Sequence, residues 1–536
     1  MSVIRINALL AAAGIAHAAN VIAAKAAPTA YANATDRAAA AELAAREADW
    51  RNGAVVYQVL VDRFAPSADL DAKRALYPAP KRLRRWDEVP TRGTYNAQAK
   101  VWSHEIDFWG GDLRSARGKL DYVRGLGADV LYLNPIHLAY TNHKYDALDY
   151  KAISPEFGTR ADLAALIDDS HAHGMKVVLD GVFNHMGRNA PLFQQALADP
   201  ASDKRDWFVW GPQYPGGARI WRDAQNLVEL NLENPAVRAY EFGAPDSVVQ
   251  GYLAQGIDGW RLDVAYDIGF NYLAELTRAA HARKPGSLVV GEIANYPREW
   301  FPSVDGVMQF TLRHVLIDLA RREIDPRTAG RMIERTITES GIGPMLKSWL
   351  YLDNHDTERI ATALPDAHAR RLAQVLQFTL PGSPNVYYGS ELGMAGGGDP
   401  EMRAPMRWDI ANAANADLAW YRQLIALHQS HRALKIGDYR RIESDRLLAF
   451  ERYTDRIGDA VVVLVNPANE TVTETVLVPD SKLMNDVAMV DLLDHSATPV
   501  PIRSALLRVT LPPSGVRVLA ADVAEKAGYT PYKRVQ

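Results

Sequence analysis

The chain reads as an α/β protein: a (β/α)8 TIM barrel with an insertion subdomain after its third strand, followed by a C-terminal antiparallel β-sandwich domain. Three observations predict this. Between residues 54 and 388, eight short and nearly continuous apolar runs alternate with helical stretches. That pattern marks a parallel sheet covered by helices, and eight such units favour a closed barrel over an open sheet. About fifty residues rich in Pro, Gly, Trp and Asp separate His185 from a helix starting near Pro235, too many for a plain connection in a compact domain. After Leu434 the long helices stop, and strand-like segments follow one another across turn residues.

The elements follow in order. Arg5 precedes the apolar run from Ala8 to Ala16, and small-x-small sites follow at Ala16-His17-Ala18 and Ala24-Lys25-Ala26. This predicts a signal peptide over residues 1–27 and a periplasmic or secreted protein rather than a cytoplasmic one. Residues 28–50 read as a linker carrying a helix of strong formers from Arg37 to Trp50. The first part of the barrel spans 51–186, with strands at Ala54–Leu60, Val130–Asn134 and Lys176–Asp180 and helices at Leu113–Gly127 and Arg160–His173. The insertion takes 187–231 and is expected to form one wall of the cleft; its aromatics Trp207, Phe208, Trp210, Tyr214 and Trp221 are candidates for stacking on glucose units, and packing of the insertion itself is an equal alternative for most of them. The second part of the barrel, 232–433, holds strands at Gly259–Asp263, Ser287–Glu292, Gly306–Phe310, Ser348–Asp353 and Asn385–Tyr388. The β-sandwich spans 434–522 and a polar tail 523–536.

Composition narrows the function. The net charge of −4 leaves no basic excess with which to grip nucleic acid. The chain has no cysteine, which excludes disulfides, thiol catalysis and cysteine–metal sites. Beyond the leader, no segment is long and apolar enough to span a bilayer, so no membrane is expected as a partner.

The chemistry-bearing residues sit at strand ends. Asp263 ends Gly-Trp-Arg-Leu-Asp, Glu292 ends Leu-Val-Val-Gly-Glu, Asp356 closes Asp-Asn-His-Asp, and Asp180 lies in Val-Val-Leu-Asp-Gly-Val-Phe-Asn-His. Carboxylates at the C-terminal ends of different parallel strands converge at one mouth of a barrel. Two of them in one cleft can serve as nucleophile and acid/base for breaking a glycosidic bond. Arg261, two residues before Asp263, points to the same side of its strand and can hold that carboxylate anionic. Taken singly, Arg261–Asp263 also reads as a buried structural pair, and Asp356 as the N-cap of the helix after it.

Together, Asp180-Gly-Val-Phe-Asn184-His185, Gly259-Trp-Arg261-Leu-Asp263, Gly291-Glu292 and Asn354-His355-Asp356 resemble, in order and in placement, the α-amylase superfamily of retaining glycoside hydrolases, on its α-amylase and neopullulanase-like branch. The resemblance runs from about Val55 to Asp409, and the β-domain after it also fits. It implies hydrolysis of α-1,4-glucosidic bonds in starch-derived maltooligosaccharides or related α-glucans by double displacement. Asp263 would be nucleophile, Glu292 general acid and base, and Asp356 the stabiliser of a distorted sugar. Tyr145, His185, Arg261, His355 and Arg359 would bind substrate, with Asp180 and Asn184 supporting the site from behind. In many relatives the Asn also binds calcium, which makes Asn184 the candidate metal ligand; the chemistry itself needs no cofactor. A monomer is expected. The alternatives are a glycosyltransferase or isomerase of the same superfamily, using the same carboxylates, and a non-catalytic carbohydrate-binding relative, which would be expected to lack one of them. Only about fifty residues precede the first strand, so the N-terminal β-domain of cyclodextrin-degrading members is expected to be absent and linear chains to be preferred.

Overall fold

The computed structural model describes residues 34–523; the predicted leader over 1–27 and the tail beyond 523 lie outside the described residues. Eight strands form one parallel sheet: β1 (Val56–Val59), β2 (Val130–Leu133), β3 (Lys176–Gly181), β4 (Gly259–Leu262), β5 (Leu288–Gly291), β6 (Gly306–Val307), β7 (Trp349–Leu350) and β8 (Ser383–Tyr387). Their order is β6-β5-β4-β3-β2-β1-β8-β7. A parallel bridge between Met308 and Trp349 joins the two ends, so the sheet closes into the predicted barrel.

Alternation decides which side chains enter it. Val56, Val130, Tyr132, Val178, Leu288, Val290, Met308 and Trp349 pack on one another inside the ring. Val55, Tyr57, Leu131, Leu133, Val177, Leu179, Trp260 and Leu262 face the surrounding helices. On β4 this sends Trp260 and Leu262 outward and Arg261 inward, with Asp263 following at the mouth.

Where one helix is expected from Leu113 to Gly127, the structure has two, Leu113–Arg117 and Leu120–Leu126. The first is closed by Gly118 and the second by Gly127 in the left-handed conformation (φ 107°).

The insertion is held by a two-stranded antiparallel ribbon, His185–Gly187 with Leu227–Glu229. Most of its aromatics take the packing alternative and build its own small core. Phe193 stacks on Trp210 (5.5 Å) and meets Phe208 edge-on, Arg205 lies over Trp210, and Trp207 packs on Tyr240. Trp221 alone of the singled-out indoles reaches a site residue, as described below.

The C-terminal domain is a sandwich of a six-stranded and a two-stranded antiparallel sheet. Val462, Leu464 and Leu519 of the larger sheet pack on Val472, Val476, Leu507 and Val509 of the smaller. The opposite face, through Phe450, Val461, Val463 and Val518, is continuous with the barrel's outer core. The N-terminal helix, Ala34–Ala48, docks at this junction. Arg46 donates to Asp438 Oδ1 (2.8 Å) and the Ile436 carbonyl, and Arg432 reaches Glu47 (2.9 Å).

Candidate active site

Three carboxylates gather around one guanidinium at the C-terminal mouth of the barrel. Arg261 is fully buried. Its Nη1 donates to Asp263 Oδ1 (2.8 Å) and to Asp180 Oδ1 (2.9 Å), while its Nη2 lies 3.0 Å from Glu292 Oε2. The register explains the meeting: Arg261 of β4 pairs with Asp180 of β3 on one side and Val290 of β5 on the other. One cation cannot neutralise three buried anions. Burial, with the like charges of Glu292 and Asp180, pushes the Asp263 carboxyl well above the usual carboxylate range against the pull of Arg261.

The second oxygens are left for chemistry. Asp263 Oδ2 has the imidazole of His185 at 3.9 Å, with no protein donor closer among the described residues. Glu292 Oε2 also accepts the backbone N–H of Val264 (2.8 Å), which leaves Oε1 facing the cleft. Val264 makes that bond from a left-handed backbone (φ 38°, ψ 45°), a conformation that costs a β-branched residue about 1–3 kcal/mol and persists only where its surroundings impose it.

Asp356 stands across from this pair with its side chain 42% exposed. Burial would raise its carboxyl, but the contact with His355 (3.0 Å) and the charge of Arg403 (3.1 Å) overcome this and hold it below the usual range. It does not cap the helix after it, as the alternative reading had it: Asp353 Oδ2 receives the Ile360 N–H at 2.8 Å, so Asp356 is free to face the cleft.

His355 is fixed by an amide relay. Asn385 donates to Gln58 Oε1, Gln58 Nε2 donates to Asn134 Oδ1, and the amide nitrogens of Gln58 (2.9 Å) and Asn134 (3.2 Å) both reach His355 Nδ1. With Nδ1 the acceptor, the ring proton sits on Nε2, toward Asp356 and the Tyr145 hydroxyl. Tyr145 lies parallel to this imidazole (centroids 5.3 Å apart) and donates to Asp180 Oδ2 (2.9 Å). His185 stacks on Trp221 at 5.7 Å; burial lowers its pKa to about 3, so it is neutral, and its Nε2 is without a hydrogen-bond partner among the described residues.

Three residues expected to contact substrate or metal have their side chains turned to other partners. Arg359, read as a sugar-contacting side chain, is completely buried. It donates to the Met402 and Tyr388 carbonyls and lies over the Tyr387 ring, so it braces the loop after β8 and presents nothing to the cleft. Arg261 likewise contacts carboxylates and not the cleft. Asn184 is buried: its carbonyl accepts the Leu230 N–H and its amide faces His185. No group of three or more His, Cys, Asp or Glu side chains that could hold a metal occurs among the described residues.

Sequence reasoning missed Gln58, Asn134, Asn385 and Arg403. Two of them carried a signal: Gln58 interrupts the apolar run of β1, and Asn134 ends that of β2 as the carboxylates end theirs.

Comparison with known proteins agrees with this geometry. A family model described as Alpha amylase, catalytic domain, matches residues 58–454. Neopullulanase 2 of Thermoactinomyces vulgaris is 32% identical over 81% of this chain and 72% of its own length. A cyclomaltodextrinase of Thermoanaerobacter pseudethanolicus is 30% identical over 84% of this chain and 75% of its own. Among solved structures, the cyclic α-maltosyl-(1→6)-maltose hydrolase of Arthrobacter globiformis superposes with a TM-score of 0.74 at 29% identity, over 88% of this chain and 99% of that one.

Proposed function

The chain belongs to the α-amylase family, and from that premise we propose that it is a retaining glycoside hydrolase that cleaves α-1,4-glucosidic bonds of maltooligosaccharides and related α-glucans. The observation that carries the reading is the pair Asp263 and Glu292, bound to the two arms of the buried Arg261 guanidinium, each with one oxygen free for substrate. Retaining enzymes keep the two carboxyls about 5–5.5 Å apart, and inverting ones about 6.5–9.5 Å; two carboxylates on one guanidinium suit the closer spacing.

Double displacement follows. Asp263 Oδ2 attacks the anomeric carbon, the glycosidic C–O bond breaks, and the proton on Glu292 Oε1 passes to the leaving oxygen. Glu292, now ionised, takes a proton from water, whose oxygen displaces Asp263 and restores the acid. Asp356 and the Nε2–H of His355 would bind hydroxyls of the sugar at the cleaved bond, and their bonds would tighten as its ring flattens. The unpartnered Nε2 of His185 would bind a further hydroxyl of that sugar. The carboxylates and water suffice for these steps without a cofactor.

The test is hydrolysis of maltoheptaose, cyclodextrin, pullulan and sucrose, with the first-formed anomer read by NMR. The expected result is an α-configured product and a higher kcat/KM on maltoheptaose than on cyclodextrin. A β-configured product would refute double displacement, and transfer to sugar acceptors without release of reducing ends would refute hydrolysis.

We also propose that the chain is exported, on the strength of Arg5, the apolar run after it and the small-residue sites. The mature protein from its native host should then begin between Ala18 and Ala34. N-terminal sequencing that found Met1 or Ser2 on the soluble cytoplasmic protein would end this proposal.

A further inference from the structure

The loop after β1 carries a small hairpin, Tyr95–Asn96 paired with Val101–Trp102, that the chemistry above does not use. Its two aromatic rings meet edge to face, 5.6 Å apart, and both are exposed: Tyr95 43% and Trp102 38%. Exposed tryptophan beside exposed tyrosine is unusual in a chain that buries most of its large apolar side chains.

The hairpin is tied to the site by a defined path. The Trp102 ring lies 6.1 Å from that of His104. His104 Nδ1 accepts the Gly93 N–H, so its proton is on Nε2 and is donated to Asp399 (3.0 Å). Asp399 holds Arg403 (3.2 Å), and Arg403 holds Asp356. At its tip, Lys100 reaches Gln225 of the insertion (3.2 Å). Just beyond it, Glu105 lies 3.3 Å from His143 of the loop after β2. The hairpin therefore spans an unbroken arc of the barrel mouth, from the loop after β8, across β1 and β2, to the insertion after β3.

That arc lies opposite the leaving group. Glu292, which protonates the departing oxygen, ends β5, four strands from β1 in either direction round the ring. A leaving group protonated by Glu292 would depart on the β5 side, and the part held on Asp263 would extend past Asp356 toward the hairpin.

Resting on the hydrolase reading, we propose that this hairpin is the end wall of the glycone side of the cleft, with Tyr95 and Trp102 receiving the terminal glucose ring. The enzyme then removes short fragments from non-reducing ends instead of cutting within the chain. Glucose presents apolar C–H faces to aromatic rings, and the hydroxyl edge of the terminal unit would meet the polar arc of His104 and Asp399.

Maltoheptaose labelled at its reducing end tests this. The wild type should release short unlabelled fragments of fixed length from the first turnovers, leaving labelled remainders shortened by the same step. In Tyr95→Ala/Trp102→Ala, kcat/KM should fall about threefold to tenfold, as loss of an aromatic contact predicts, and longer unlabelled fragments should appear. Both rings are solvent-facing, and Lys100→Ala, which loosens the wall without touching them, should broaden the fragments in the same direction. A wild type that yields labelled products of every length at the outset, or variants with the wild-type fragment pattern, would overturn the proposal. Failure of the wild type to hydrolyse any α-glucan would instead overturn the hydrolase reading and the hairpin's role with it.

Discussion

Asp263→Asn is expected to lower kcat on maltooligosaccharides by about 10⁴–10⁶-fold, because the covalent route is lost and only binding and electrostatics remain. The substitution keeps shape and leaves an oxygen for Arg261, so the fold should stand. Stability should move the other way. In the wild type, three carboxylates share one buried cation. The folded state raises the Asp263 carboxyl, so it binds that proton more tightly than the unfolded chain does. Its favourable contribution is therefore full at low pH and is lost as pH rises through the folded value. Asn has no such cost, and its melting temperature should gain on the wild type as pH increases. A variant with more than about a tenth of wild-type activity would place the nucleophile elsewhere, since removing one of several equal contacts costs about that much.

Glu292→Gln is expected to reduce turnover by about 10²–10⁴-fold, the usual loss on removing a general acid–base. The effect should depend on the leaving group: an aryl glycoside that departs without protonation should form the glycosyl–enzyme nearly as fast as with the wild type. The pH profile supplies a second readout. The alkaline limb of kcat/KM in the wild type reports loss of the proton that the general acid must donate. The Gln variant has no such proton to lose, so that limb should flatten. Near-normal starch hydrolysis, or an unchanged alkaline limb, would assign the acid role to another group.

The convergence of Asp180, Asp263 and Glu292 was legible because period-two alternation decides what enters a barrel, and because each of them ends a short apolar run. Arg261 was legible by the same rule, as the residue two before Asp263. The amide relay was legible only in hindsight: Gln58, Asn134 and Asn385 lie on strands far apart in sequence, and only ring closure brings them to His355. Arg359 was read as a sugar contact from the family resemblance alone, whereas the loop after β8 folds over it and supplies two carbonyls. For the aromatics of the insertion the sequence left two jobs open, stacking on sugar and packing of the insertion itself. A subdomain of that size must spend most of its rings on its own core, and sequence does not say which one is left over.

The N-terminal helix has a consequence for the order in which the chain can be completed. Its anchors on Asp438 and the Ile436 carbonyl lie some 390 residues downstream of Arg46. At roughly 5–20 residues per second, a ribosome needs on the order of 20–80 s to supply them. β1 waits in the same way, because its partner β8 pairs Val56 with Asn385. The helix and the closing edge of β1 thus wait for distant partners: the ring cannot shut, and the helix cannot latch across barrel and sandwich, until the chain through Asp438 has emerged.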